Sequence, residues 1–138
     1  MSRLDLLIRV QKRAVDDARM VLARAEEVLE RLLDEDRRLD VTLGAERAAA
    51  GRSIEAAQAF QAYVHRIREE RINLAVAIQA ARDAARKAGD EVLAAHRELR
   101  KIELAQEAAR ERARQEAARR ERRDTDELAL SRFARARR

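Results

Sequence analysis

The sequence predicts an all-α fold, a long antiparallel two-helix coiled-coil hairpin whose second helix overhangs the first. Three observations predict it. Ala, Glu, Lys, Leu and Arg make up 92 of the 138 residues, well past the share that marks long helices and coiled coils. The chain has no proline and three glycines, so little punctuates a helix. From Phe60, steps of four and three alternate through Val64, Ile67, Arg71, Leu74, Ile78, Ala81, Ala85, Ala88, Val92, Ala95, Leu99, Ile102, Gln106, Ala109 and Ala113. Only Arg71 and Gln106 in that series are not apolar, and a period of 3.5 held so long marks one helix laying a seam on another.

Taken in order, Ser2 with Asp5 three residues later reads as a capping box that starts the first helix. The same stepping then gives Leu4, Leu7, Gln11, Ala14, Ala18, Val21, Ala25, Val28, Leu32, Glu35, Leu39 and Thr42, with Ile8, Val15, Leu22, Leu29 and Leu33 widening the stripe. The break falls between Gly44 and Ser53: the glycines can supply a left-handed helix end and Ser53 a new cap, although Ala45–Ala50 is itself a good helix former. The expected layout is a single domain over 1–138, with helix 1 at about 3–47, a turn at about 44–53 and helix 2 at about 54–135. Asp124 and Glu127 could form a second capping box and give a kink or a fresh turn there. A turn centred near residue 48 places Leu4 opposite a residue near 93, roughly four dozen residues to either side. The seam from Ala95 onward would then lack a partner in its own chain.

Charge and chemistry narrow the function. The net charge is +5, and residues 110–138 alone carry eleven Arg against six Asp or Glu, so the positive field sits at one end. There is no cysteine, which leaves the redox compartment open but suits a cytosolic protein; the longest apolar run, Leu74–Ile78, is five residues, too short for a membrane span, and the N-terminus has no signal-peptide pattern. His65 and His96 stand far apart on one helix, the three serines have no neighbouring base, and glycine is too sparse for a phosphate loop. The reading is therefore of a protein that is not an enzyme and uses no cofactor or metal. The Arg-rich end could touch phosphates, but six interspersed acids and a lone aromatic, Phe133, argue against nucleic acid. A structural homodimer and a basic nucleic-acid-associated helix are the alternatives to a helical partner-binding protein.

Three stretches carry a family resemblance. They are the amphipathic start Leu4-Asp5-Leu6-Leu7-Ile8-Arg9-Val10-Gln11, the post-turn run Ser53-Ile54-Glu55-Ala56-Ala57-Gln58-Ala59-Phe60-Gln61-Ala62-Tyr63-Val64, and the charged ending Arg122-Arg123-Asp124-Thr125-Asp126-Glu127-Leu128-Ala129. With the hairpin layout, these make the chain resemble the FliJ family, a coiled-coil component of the flagellar type III export apparatus, and more distantly the stalk proteins of injectisomes.

The resemblance implies a monomeric stalk and chaperone-escort protein that stands in the hexameric export ATPase, FliI, promotes its ring and links it to the export gate protein FlhA. Export chaperones are further partners it implies. Nucleic acid and direct membrane insertion are not among them. It implies a cytoplasmic place, peripheral to the cytoplasmic face of the inner membrane through the export apparatus. Carried onto this sequence, the gate-contacting face falls on Phe60, Val64, Ile67 and Arg71, the last standing where the family commonly has histidine. The ring-facing end falls on Arg3 and Leu7 with Arg119, Arg120, Arg123, Asp126 and Glu127.

Overall fold

With no proline and strong helix formers throughout, almost every backbone group finds its partner within its own helix. The computed structural model describes residues 2–137, so the two ends of the predicted 1–138 domain lie outside the described residues. It contains two helices, α1 (Arg3–Ala50) and α2 (Ile54–Ala136), and no strand among the described residues. Chain contacts divide it into two compact units. One, Arg13–Ala95, holds the turn; the other joins Met1–Lys12 to His96–Arg138.

The N-terminal cap forms as its spacing predicts. The Asp5 N–H donates to Ser2 Oγ at 3.1 Å while the Ser2 N–H donates to Asp5 Oδ2 at 3.0 Å, and these reciprocal bonds satisfy donors that the first turn leaves free. Hydrogen bonding from Ser2 is the main cause holding the Asp5 carboxyl below its ordinary range, with Arg110 and Gln106 adding to it and desolvation opposing it. A carboxyl whose folded pKa is depressed stabilises the folded end above its unfolded pKa and loses that contribution as pH falls through the folded value. On acidification from about pH 5 to about pH 2, Cα chemical shifts of Arg3–Leu7 should therefore move toward coil values, and Asp5→Asn should flatten that response.

In the turn-side unit, α1 runs through Gly44 to Ala50, the longer of the two endings that the helix-forming run Ala45–Ala50 leaves open. Glycine costs a helix only about 1 kcal/mol relative to Ala, and the run after Gly44 offsets it in propensity. The reversal is confined to Gly51–Ser53 and uses no left-handed residue, contrary to the expectation for the glycines. The Arg52 N–H closes it on the Ala49 carbonyl at 3.2 Å, and Ser53 Oγ caps α2 by accepting from the Ala56 N–H at 2.9 Å.

The seam on α2 is the one its sequence spells: Leu74, Ile78, Ala81 and Ala88 are buried and Ala85 and Val92 half-buried. On α1 one half of the expected series holds, since Ala18, Ala25, Leu32 and Leu39 are half-buried. In the other half Ala14 alone is half-buried, and the adjacent positions that widen the stripe take over the seam, a rotation by one position. Val15 is buried and Leu22, Leu29, Asp36 and Leu43 are half-buried, whereas Val21 and Val28 remain 49% and 43% exposed and Glu35 and Thr42 are exposed too. The physical reason is volume. The alanines Ala81, Ala85 and Ala88 take up little of the space between the helices, and the register of Val15, Leu22 and Leu29 fills it better than that of Ala14, Val21 and Val28.

The terminal unit corrects the pairing. Gln106 Nε2 donates a hydrogen bond to Asp5 Oδ1, so the start of α1 lies beside Gln106 and not beside residue 93. Leu4, Ile8 and Gln11 of α1 and Leu99, Ile102, Gln106 and Ala109 of α2 are half-buried there. A turn displaced by about four residues displaces each pairing by about eight, and the reach of a long side chain adds to it. The stretch from Ala95 to Ala109, expected to be uncovered, thus has an intramolecular partner, and the uncovered part begins at Arg110. There α2 continues unbroken: the Thr125 hydroxyl donates to the Glu121 carbonyl at 2.8 Å inside the helix, and Asp124 does not restart it.

Candidate functional site

The sequence singles out two sets of residues, and each is placed within one unit. In the turn-side unit, Phe60, Val64 and Ile67 share the α2 stripe of Leu74 and Ile78 and are half-buried rather than open. They belong to the seam. Their burial is incomplete because α1 brings mainly Gly44 and alanines to this end, and Gly44 has open space where a Cβ would stand. Arg71 occupies a seam position as well, but its guanidinium turns outward and Nη2 donates to Asp40 Oδ1 at 2.8 Å. Beside this stripe, Tyr63, Arg66, Ile67 and Glu70 line a shallow hollow of about 230 Å³.

Half-burial sets the expected mutational response. Phe60→Ala with Val64→Ala should lower stability by about 2–3 kcal/mol, roughly half of what a fully buried pair loses. Arg71→Ala should cost less than about 1 kcal/mol, because both partners of its ion pair are largely exposed. Urea unfolding followed by circular dichroism measures both, and equal effects would contradict the placement.

In the terminal unit, the second set divides in two. Arg3 and Leu7 lie on the first turns of α1, Leu7 at 44% exposure and beside, not in, the seam. Asp5 faces Gln106, whereas Arg119 stands thirteen residues further along α2, about 20 Å at 1.5 Å per residue. The structure does not bring Arg3 and Leu7 together with Arg119, Arg120, Arg123, Asp126 and Glu127.

Arg119, Arg120 and Arg123 do converge. With Arg112, Gln115 and Glu116 they line one concavity of about 400 Å³ along the helix. Arg120 is tied to Glu116 at 3.2 Å and Arg114 to Glu111 at 2.7 Å, so part of the positive charge is compensated locally. Arg112, Arg119 and Arg123 remain as a basic row at helical spacing. Asp126 belongs to another hollow, with Ala118, Glu121, Arg122 and Thr125, and Glu127 is exposed. Every described residue from Arg110 onward is exposed, including Leu128, Leu130 and Phe133 at 59%, 68% and 59%. Arg137 lies over the Phe133 ring, 4.8 Å from its centroid.

Sequence reasoning missed Arg112 as the start of the basic row, and a step of seven from Arg119 would have found it. It also missed Gln106 as the partner of Asp5, for which no local signal exists. A bare helix that is basic along one face and stripped of its helical neighbour can enter a surrounding acidic or polar surface.

The family model described as flagellar FliJ protein matches residues 1–138. No curated protein and no solved structure matches the chain. A match of this extent agrees with the amphipathic start, the post-turn run and the charged ending, and the chain belongs to the flagellar FliJ protein family.

Proposed function

We propose that this chain is the stalk and escort component of the flagellar type III export apparatus, inserting its basic helix end into the hexameric export ATPase, FliI, and linking that ring to the gate protein FlhA. Family membership supports the flagellar setting. The observation that carries the ring-facing part is the bare stretch of α2 from Arg110, exposed throughout its described residues and basic along Arg112, Arg119 and Arg123. A helix with no intramolecular cover and a one-signed face suits a socket lined by carboxylates or carbonyls.

For the gate, the reading uses the accessible edge of Phe60, Val64 and Ile67 with Arg71, next to the hollow at Tyr63 and Glu70. Export chaperones are further partners within the same proposal. No helix among the described residues is long and apolar enough to cross a membrane, and the proposed place is the cytoplasmic face of the inner membrane, held there through the apparatus. Mixing the chain with its cognate ATPase tests the reading: ring assembly and ATP hydrolysis should both rise, and unchanged hydrolysis at saturating protein would overturn it.

A further inference from the structure

The rotation of the α1 seam leaves a second apolar line on the side of the turn-side unit. Leu32, Leu39 and Thr42 of α1 and Glu70, Leu74 and Ala77 of α2 line a groove hollow of about 420 Å³. Steps of seven back from Glu35, which also lines it, reach Val28 and Val21, both nearly half exposed. Ala84, one heptad beyond Ala77, continues the facing wall and is exposed. Apolar side chains therefore recur along both walls, between the polar Glu35, Thr42, Glu70 and Asn73, at the spacing another helix would need.

The rim is basic. Arg38 lines the hollow, and Arg31 and Arg24 repeat it at seven-residue intervals; Lys87 stands two heptads beyond Asn73 on the opposite wall. All four cations are exposed and, among the described residues, none takes part in an ion pair or hydrogen bond. Elsewhere on these helices arginines do find carboxylates, as Arg37 does with Asp34 and Arg86 with Asp83. Carboxylates stand at both ends of these lines, Glu35 and Glu70 at the hollow and Asp17 and Glu91 one heptad beyond Arg24 and Ala84.

We propose that this groove is the docking site of an acidic amphipathic helix from a partner protein. Its apolar stripe covers Val21, Val28, Leu32 and Ala84, its carboxylates lie along Arg24, Arg31 and Lys87, and a basic residue at one end meets Glu35 and Glu70. A second copy of this chain is the poorer occupant, because both walls of its own groove are rimmed by cations and a two-fold contact would bring those rims together. The proposal rests on the turn-side unit alone and is independent of the ATPase reading.

A synthetic amphipathic peptide of about three heptads, leucine on its stripe and glutamate on its flanks, tests it against the same peptide with lysine for every glutamate. By fluorescence anisotropy with the full chain, the glutamate peptide should bind with a Kd on the order of 10 µM and the lysine peptide at least about tenfold more weakly. Arg24→Glu with Arg31→Glu should reverse the order while leaving the circular dichroism spectrum unchanged, and Val28→Ser should weaken both peptides. Binding of neither peptide, equal binding of both, indifference to the arginine reversals, or a dimer by light scattering that Val28→Ser dissolves would each overturn the proposal.

Discussion

Cutting the chain after Arg110 is expected to abolish the proposed stimulation of the export ATPase while leaving the thermal midpoint within about 2 °C of the full-length value. The two readouts separate because every described residue beyond Arg110 is exposed. No described residue there is even half-buried, so its removal forfeits little buried apolar area. Its helical signal should vanish in proportion to the residues removed. The full-length variant Arg112→Glu with Arg119→Glu and Arg123→Glu should lose stimulation as completely, since it reverses the uncompensated part of the basic row and leaves the length of the helix intact. An ATPase assay across a salt series distinguishes the two causes: a charge-driven contact weakens with ionic strength, whereas a purely steric insertion does not. Stimulation that survives the truncation would contradict the ring-facing role of this end.

Val15→Asp is expected to be the most disruptive single change, lowering the thermal midpoint by more than about 10 °C, whereas Val21→Asp should shift it by only a few degrees. Val15 is 3% exposed, and Val21 is 49% exposed. An unpartnered carboxylate at the former site costs roughly 3–5 kcal/mol, either as buried charge or as the work of protonating it. Among the described residues the buried apolar set is only Val15, Leu74, Ile78, Ala81 and Ala88. A contact so thin has little reserve. The pair of variants also decides the rotational setting of α1, because the stepping through Leu7, Ala14, Val21 and Val28 predicts the opposite ranking.

Much of this chain is legible residue by residue. The series from Phe60 to Ala109 is the seam that the structure covers, and the reciprocal cap of Ser2 and Asp5 forms as written. Both are local or strictly periodic, and periodic signals survive because every turn of the helix repeats them. The α1 seam is less legible because two neighbouring series, one led by Leu7 and one by Ile8, are both apolar. A stripe that broad permits two settings differing by one position, and only the space left by the alanines of α2 chooses between them.

The candidate surfaces divide the same way. The basic row at Arg112, Arg119 and Arg123 follows from spacing on one helix. That Phe60, Val64 and Ile67 are seam residues with open edges does not, since it depends on how little bulk Gly44 and Ala48 bring from the other helix. Residue order alone reveals two helices, the apolar face of α2, the basic end and the family to which the chain belongs. The register that sets Asp5 beside Gln106 and Asp40 beside Arg71 emerges only once the helices pack, and with it the start of the uncovered helix at Arg110 rather than at Ala95. The physical reason is that a heptad seam is nearly indifferent to sliding by whole repeats, so its register is fixed by where the turn closes and by the few polar side chains that must find one another.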